Sequence, residues 1–435
     1  MPPIPTKNLF SSPPDVMGSV KTSYDKKSNS LLIILCWYIF LLTERPWESI
    51  SYLHDLRIQF IYAIFMILVA AFSGRLIIVK ANTNKWVLGL LGLHFILAPF
   101  AFSPASAIDT GIEYAKIVLL YILLVSSVET KEDLKLILKA FVLSMLFYSL
   151  HSLWEFHNGR HEWRMGIVRM IGVGDAYSNP NGFAASLTLA MPFAYLLARF
   201  EQTKYLRRLY YGYLVLAPIC IVLTGSRTGF VAMLLCFMLQ VFRFKGLKKF
   251  FILVFLVVFI IVGWQLMPED KQRRIETLWN EDAGPANAKE SAEGRIEGFL
   301  ASLEMFKQHP FTGVGAGKEN FIGYRTSFID GVALQSHNLY GEVISQLGIG
   351  GAFFLLGLIW STVRGCLVAN RNLAEKGESG SFFQALGFTI IATLILLLLF
   401  GVGGHNFYRP LWLMLAAWSS NLLKISTVPQ RLTIR

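Results

Sequence analysis

The chain has 435 residues, of which 54% are hydrophobic and only 16% are charged. A soluble domain typically has about 45–50% apolar and about 25% charged residues, so the composition argues against a soluble enzyme, a disordered protein and a nucleic-acid-binding protein. Lysine and arginine outnumber aspartate and glutamate by 40 to 28, which gives a net charge of +12. In an integral membrane protein such an excess usually lies in cytoplasmic loops.

The apolar residues are grouped into about twelve segments that approach the roughly 20 residues a helix needs to span a bilayer. We therefore predict an all-α integral membrane protein with about twelve transmembrane helices. In chain order the segments are Asn29–Leu42, Arg57–Phe72, Trp86–Phe102, Gly111–Val128, Leu134–Trp154, Gly182–Phe200, Tyr210–Thr224, Gly229–Phe242, Phe250–Leu266, Leu347–Val368, Phe382–Phe400 and Phe407–Leu423.

The distribution of basic residues predicts the orientation in the membrane. One set of predicted loops and the C-terminal tail hold most of the lysines and arginines, whereas the alternate short loops carry only Arg45, Arg57, Arg227 and Arg409. The basic loops are therefore predicted to be cytoplasmic, and both termini lie on their side.

The predicted helices divide the chain into five parts and leave two long external loops. The first loop runs from about Glu155 to Asn181, and the second is polar enough to form a small subdomain before the tenth helix. The parts are a cytoplasmic tail at 1–28, helices 1–9 at 29–267, the large external loop at 268–346, helices 10–12 at 347–423, and a cytoplasmic tail at 424–435.

Two further patterns concern packing. Ile296, Phe299, Leu300, Leu303 and Phe306 recur at helical spacing in the large loop, which predicts an amphipathic helix that lies on the membrane or caps the bundle. The four cysteines lie in apolar runs without a CxxC motif, so we expect buried thiols rather than a disulfide framework or a zinc site.

The external loops are unusually rich in arginine, including Arg164 and Arg169 in the first loop and Arg295 in the second. Arg227 lies in a tight turn between two helices. The planar guanidinium can bind two phosphate oxygens at once, so these residues are candidates for a phosphate site. The alternative for Arg227 is an interfacial side chain that extends toward lipid headgroups, although the excess of basic residues on the other side disfavours it.

A histidine lies just before the tenth helix, in the motif Ser336-His337-Asn338. Because an imidazole ordinarily titrates at about pH 6.5, His337 is a candidate general base; the alternative is a hydrogen-bonded residue at a helix start. Gly313–Lys318 looks like a phosphate loop but fails the P-loop pattern, so we expect a flexible turn. The external loops contain no acidic DxD pair, so no divalent metal is expected.

Together these motifs resemble the signature of the O-antigen ligase and polymerase superfamily. That family implies a GT-C-type fold in the bacterial inner membrane with its active site facing the periplasm. It also implies a metal-independent, inverting glycosyltransferase that needs no cofactor. The motifs are Arg295 through Pro310, Gly313-Val314-Gly315, Ser336-His337-Asn338, Gln346 through Gly351, Gly225-Ser226-Arg227 and Asn179 through Ala184.

The resemblance implies that His337 and Arg227 are catalytic. Its implied partners are an undecaprenyl-pyrophosphate-linked O-antigen glycan as donor, lipid A–core as acceptor for lipopolysaccharide biosynthesis, and membrane lipids, with no nucleic acid. Arg169 is favoured over Arg164 as the loop arginine because it is nearer to Asn181 and the membrane. The implied residues that bind pyrophosphate or glycan are Arg169, Arg295, Arg164, Asn181, Asn338 and Tyr340.

Three alternatives remain open. An O-antigen polymerase would use a second lipid-linked repeat unit as acceptor, and a protein O-oligosaccharyltransferase of the same superfamily would use a protein hydroxyl. A transporter of lipid-linked glycans belongs to another class. It would place charges near the bilayer midplane and contain inverted repeats, whereas the basic residues here cluster on the external side.

The topology can be tested with reporter fusions. Fusions after Lys245 and Arg371 should report a cytoplasmic location, and fusions after Asn158 and Asp282 should report an external one, because of the charge asymmetry between loops. A single fusion on the opposite side would contradict the prediction that the arginines and His337 share one face of the membrane.

Overall fold

Each of the twelve predicted apolar segments overlaps an α-helix in a computed structural model of the protein. The structure describes residues 30–45, 47, 58–164, 167–174, 179–241, 246–280 and 287–427. The predicted tail 1–28, the chain from residue 428 onward, and the predicted segment ends Asn29, Arg57 and Phe242 lie outside these residues. The helices are α1 (Ser30–Glu44), α2 (Ile58–Phe72), α3 (Asn84–Leu97), α4 (Pro104–Ser127), α5 (Lys131–His157), α6 (Pro180–Phe200), α7 (Lys204–Leu223), α8 (Arg227–Val241), α9 (Gly246–Leu266), α10 (Glu269–Glu276), α11 (Asn287–Gln308), α12 (Lys318–Phe328), α13 (Leu339–Glu375), α14 (Phe382–Val402) and α15 (Leu411–Thr427).

The helices differ in whether they can cross a membrane. Among the described residues, α5, α6, α7, α13 and α14 are long and apolar enough, while α1, α2, α3 and α8 are apolar but shorter. Outward-facing side chains such as Phe72, Ile96 and Trp360 are 90%, 67% and 66% exposed, which is typical of a surface that faces lipid or a partner. The described chain is thus mostly helical with five candidate spans, and the number twelve remains a prediction.

Helix α13 lies at the centre of the packing. It contacts α3, α11, α14 and α15, and a single large apolar core extends from these helices to α5, α6 and α7. All four cysteines are free; Cys220, Cys236 and Cys366 are buried as predicted, whereas Cys36 is partly exposed.

Proline explains two differences between predicted and observed helix ends. Helix α3 stops at Leu97 instead of Phe102, because Pro99 has no backbone N–H to donate within an α-helix. Helix α15 begins at Leu411 instead of Phe407, since a proline directly precedes it and proline is accommodated only at a helix start.

The predicted first external loop contains a small antiparallel hairpin that the sequence analysis missed. Its strands are β1 (His161–Arg164) and β2 (Ile167–Met170), and Glu162 lies opposite Arg169 in the register. The β-branched residues of β2 favour a strand, but two four-residue strands give a weak pattern. The hairpin is a small exception to the predicted all-α fold.

Helix α13 is interrupted at Gly348, whose φ of 61° departs from helical geometry. Residues 310–317, here called the tether, fill the interruption with their own backbone, and the Val314 N–H donates to the Ser345 carbonyl at 2.8 Å. The flexible turn predicted at Gly313–Lys318 is wrong, because residues 313–317 are buried and hydrogen-bonded into α13. The tether therefore fixes the large loop to the bundle.

Helix α11 carries the predicted apolar stripe, of which Ile296 and Leu300 face outward while Phe299, Leu303 and Phe306 are half-buried. Ile296 and Leu300 are 62% and 56% exposed. The opposite face packs on the protein: a Cβ on Gly298 would lie 2.8 Å from the Ser336 carbonyl oxygen, and the Ser302 hydroxyl bonds the Ser336 hydroxyl at 2.9 Å. This arrangement favours a helix that lies on the membrane over one that caps the bundle with its apolar stripe.

The fit of the tether can be tested at Gly313. Its φ is 64°, and an added Cβ would lie 2.3 Å from the Gln346 carbonyl oxygen. Gly313→Ala should therefore lower the melting temperature of the purified protein, by strain and by overlap that together cost about 2–4 kcal/mol. Gly377→Ala is the matched control, because Gly377 has a φ of 75° with nothing within 4 Å of the added Cβ. Equal melting temperatures for the two variants would contradict the close fit.

Candidate functional site

The turn between α7 and α8 is held by two buried arginines. The Arg169 Nε donates to the Thr224 carbonyl at 2.8 Å, and the Arg274 Nε donates to the Gly225 carbonyl at 2.8 Å. Both guanidinium groups are almost completely buried, at 2% and 5% exposure. The turn that carries Arg227 is thus clamped between β2 and α10.

A third buried cation lies in the same clamp. The Lys271 ammonium donates to the Val168 carbonyl and pairs with the Asp270 carboxylate at 3.0 Å. Burial lowers the pKa of Lys271, Asp270 opposes that effect, and Arg169 and Arg274 reinforce it through repulsion. The clamp thus gathers three basic side chains beside the α7–α8 turn.

Two further arginines approach the start of α8 from different sides. Arg227 is half-buried, and its Nη1 donates to the Thr277 hydroxyl at 2.9 Å, just after α10. Arg295, on α11, packs over Gly403: an added Cβ there would lie 3.4 Å from the Arg295 Nη1 and 3.4 Å from the Thr228 hydroxyl. The structure therefore brings Arg295 next to the residue that follows Arg227.

His337 lies directly before α13 in a left-handed backbone conformation, with a φ of 48°. This conformation is uncommon for residues other than glycine and typically costs of order 1 kcal/mol or more. Residues on both sides hold it: Ser336 is bonded to α11 as described, and the Asn338 side chain accepts the Gly341 N–H at 3.0 Å and donates to the Val402 carbonyl at 2.9 Å. Asn338 is therefore the N-cap of α13.

The imidazole of His337 meets a second histidine. Its Nδ1 lies 3.2 Å from the Nδ1 of His405, which belongs to the turn between α14 and α15. The His405 side chain is exposed to solvent on one side, and the protein covers the rest of its ring. Desolvation, with repulsion from His337, Arg409 and Lys318, lowers the pKa of His405 to about 4.

The remaining predicted residues lie around these groups. Asn181, in the first turn of α6, accepts from the Arg169 Nη2 at 3.1 Å. Tyr340 is 42% exposed and donates to the Leu398 carbonyl at 3.2 Å. Arg164 is the last residue of β1, paired in register with Ile167. The contacts of Arg169 and Asn181 connect them to the α7–α8 turn, while the choice between Arg164 and Arg169 as the loop arginine stays open.

Other external residues from the sequence are engaged elsewhere. Arg325 is fully buried, and its guanidinium forms hydrogen bonds of 2.6–3.0 Å with Asp330. The hydrogen bonds from Arg325 hold the pKa of Asp330 below its usual value. His309 shares a hydrogen bond of 2.9 Å with the Tyr324 hydroxyl. Both contacts lie within the large loop and stabilise its fold.

Sequence reasoning did not identify Lys271 and Arg274, and it considered His405 only as the next candidate base, with Glu342, should His337 not act as one. The two cations lie on α10, whose first turn is acidic and last turn basic, a pattern that also fits an ordinary solvated helix. His405 follows two glycines after an apolar segment, and only its contact with His337 makes it notable. Among the described residues there is no group of three or more histidine, cysteine, aspartate or glutamate side chains that could hold a metal ion.

Comparison with known families supplies a further finding. Residues 212–356 match the sequence model of the O-antigen ligase family (Wzy_C). The matched segment contains Arg227, Arg295 and His337, whereas Arg169 and His405 lie outside it. This match confirms the resemblance to the O-antigen ligase and polymerase superfamily. No curated protein matches the chain.

Proposed function

Starting from the O-antigen ligase family domain in residues 212–356, we propose that the protein is a glycosyltransferase of lipopolysaccharide biosynthesis. It transfers an O-antigen glycan from undecaprenyl pyrophosphate to a sugar hydroxyl of lipid A–core. The observation that carries the proposal is the turn of residues 403–409, which contacts Arg295 at Gly403 and His337 at His405. A candidate base and candidate phosphate-binding cations thereby surround one small region.

In this proposal the arginines stabilise the leaving group. The acceptor oxygen attacks the anomeric carbon, the bond from that carbon to the pyrophosphate oxygen breaks, and the pyrophosphate leaves with the electron pair. Fixed cations lower the barrier of such a step because they are oriented before charge develops. Arg227 and Arg295 fill this role, and the clamp of Arg169, Lys271 and Arg274 adds positive potential behind the turn.

His337 takes the proton of the acceptor hydroxyl. A sugar hydroxyl is a poor nucleophile until its proton begins to leave, and a positioned base typically contributes 10²–10⁴-fold. Attack opposite the leaving group inverts the anomeric centre. Arginines replace a divalent metal in neutralising the pyrophosphate, so the reaction needs no metal or other cofactor.

The membrane arrangement is part of the proposal. The family match and the apolar helices support a multi-pass bacterial membrane protein. We place it in the inner membrane with about twelve spans, both termini in the cytoplasm, and a GT-C-type bundle whose large loop, residues 268–346, faces the periplasm. The pyrophosphate lies at the external boundary and the lipid tail lies between helices.

A transfer assay with varied acceptors separates the alternatives. The purified protein is incubated with undecaprenyl-pyrophosphate-linked glycan and either lipid A–core, a second lipid-linked repeat unit, or an acceptor protein. A product on lipid A–core identifies a ligase, a lengthened lipid-linked glycan identifies a polymerase, and a glycosylated protein identifies an O-oligosaccharyltransferase. Movement of the lipid across a vesicle membrane without any covalent product would instead identify a transporter.

Arg227→Lys should lose most of the transfer activity although the charge is retained. A lysine cannot bind two phosphate oxygens as a planar fork, and it is too short to keep the contact with Thr277. The measurement is the initial rate of transfer by folded, membrane-inserted protein. Arg273→Lys is the matched control, because Arg273 is 69% exposed on α10. A near-normal rate for Arg227→Lys would show that Arg227 only anchors the protein at lipid headgroups.

His337→Ala should reduce kcat by about 10²–10⁴-fold while donor binding stays nearly unchanged. Binding is retained because the arginines, not the imidazole, hold the pyrophosphate. In the wild-type protein the rate should fall on the acid side as the imidazole is protonated and can no longer accept a proton. His161→Ala, in the exposed part of the hairpin, is the control. Equal losses of donor binding and turnover in His337→Ala would make His337 a pyrophosphate ligand instead of a base.

A further inference from the structure

The contact between His337 and His405 constrains where protons can lie. The two Nδ1 atoms are 3.2 Å apart, which is a hydrogen-bond distance for a single shared proton. One ring must donate an Nδ1–H and the other must accept with its lone pair. The ring that donates keeps its Nε2 free of hydrogen when it is neutral, and only that ring can accept a proton at Nε2.

The surroundings of the two rings differ. His405 faces Lys318 from the start of α12, Arg409 from its own turn, and His337 itself. Desolvation, followed by repulsion from these groups, lowers the pKa of His405 to about 4. His405 is therefore neutral at physiological pH. A neutral ring held among cations is a poor proton acceptor from solvent, but its Nδ1 lone pair is still available to a neighbouring N–H.

The turn that carries His405 is rigid. The Asn406 amide donates to the Leu397 carbonyl at 2.9 Å, and the Trp412 Nε1 donates to the Asn406 carbonyl at 3.0 Å. The Phe407 N–H donates to the buried Glu342 carboxylate at 3.3 Å. His405 is consequently held at a fixed position beside His337, whose own backbone is held in the left-handed region.

We propose that His405 is a positioning residue that accepts the Nδ1–H of His337 and so leaves the Nε2 of His337 as the proton acceptor of the transfer reaction. The inference rests on the proposed function and deepens it. When the acceptor hydroxyl attacks, its proton moves to Nε2 of His337 and makes an imidazolium. The Nδ1–H of that imidazolium then donates a charge-assisted hydrogen bond to His405, which is stronger than the neutral bond before the reaction.

Two substitutions of His405 separate positioning from packing. His405→Phe keeps an aromatic ring beside His337 but removes the acceptor, so half or more of the His337 rings lose the productive tautomer and the imidazolium loses its partner. We expect kcat to fall by about 10–100-fold, the donor KM to stay unchanged, and the acid limb of the pH–rate profile to move to lower pH. His405→Gln provides an amide oxygen as acceptor and should keep most of the wild-type kcat. His309→Phe is the matched control, because His309 bonds only within the large loop.

A spectroscopic measurement tests the contact without the reaction. Nitrogen-15 NMR of the full-length protein with labelled histidine distinguishes protonated from unprotonated ring nitrogens, and loss of one signal in His337→Ala assigns that signal. The wild-type protein should show His337 protonated at Nδ1 near neutral pH, and His405→Phe should convert it to a mixture of tautomers.

The outcomes distinguish a failure of this inference from a failure of the proposed function. If the wild-type protein transfers glycan and His405→Phe matches it in kcat and in the pH–rate profile, the role of His405 is refuted while the function stands. If the NMR shows His337 protonated at Nε2, the direction of the hydrogen bond is refuted. If the wild-type protein transfers glycan to no acceptor but shows the Nδ1 tautomer and its loss in His405→Phe, the contact stands and the proposed function fails.

Discussion

The backbone contact between the tether and the interrupted helix α13 is the constraint on which the positions of α12 and His337 depend. Because Gly313 and Gly348 have no side chain, the backbones of the tether and of α13 can lie in direct contact. The α13 carbonyls that lack a partner within the helix at its interruption accept hydrogen bonds from N–H groups of the tether. Buried backbone groups must be paired, so the interruption and the tether require each other. From the tether the chain continues into α12 and then through Ser336, which is hydrogen-bonded to Ser302 on α11, to His337.

Charge is distributed unevenly over the same region. Arg169 and Arg274 offset part of the cost of burial by donating to backbone carbonyls. A carbonyl oxygen satisfies the hydrogen bond of a buried guanidinium without itself carrying a full negative charge. These contacts fix the backbone of the α7–α8 turn and place three cationic side chains beside it.

The sequence predicted the features that are local and missed those that depend on contacts between distant residues. Apolar runs locate the helices because length and hydropathy are properties of one segment, and the proline at 99 and the one at 410 account for two of the ends that shifted. The tether was predicted to be a flexible turn, because glycine spacing cannot show that a helix 30 residues later is open to receive it. Lys271 and Arg274 look ordinary in sequence and stand out only beside Gly225, and the contact of His405 with His337 could not be read from the sequence.

The clamp and the histidine pair also bear on how the chain can be divided. The segment that matches the O-antigen ligase family, residues 212–356, ends in the middle of α13 and excludes both strands of the hairpin. An excised segment would lose Arg169 from the turn it holds, and His405 from His337. It would also expose the buried side of α13 that α14 and α15 cover. The boundaries of the family match are therefore not the boundaries of a folding unit. Two separately expressed halves of the chain should restore function together only when the cut between them leaves these helices and strands intact.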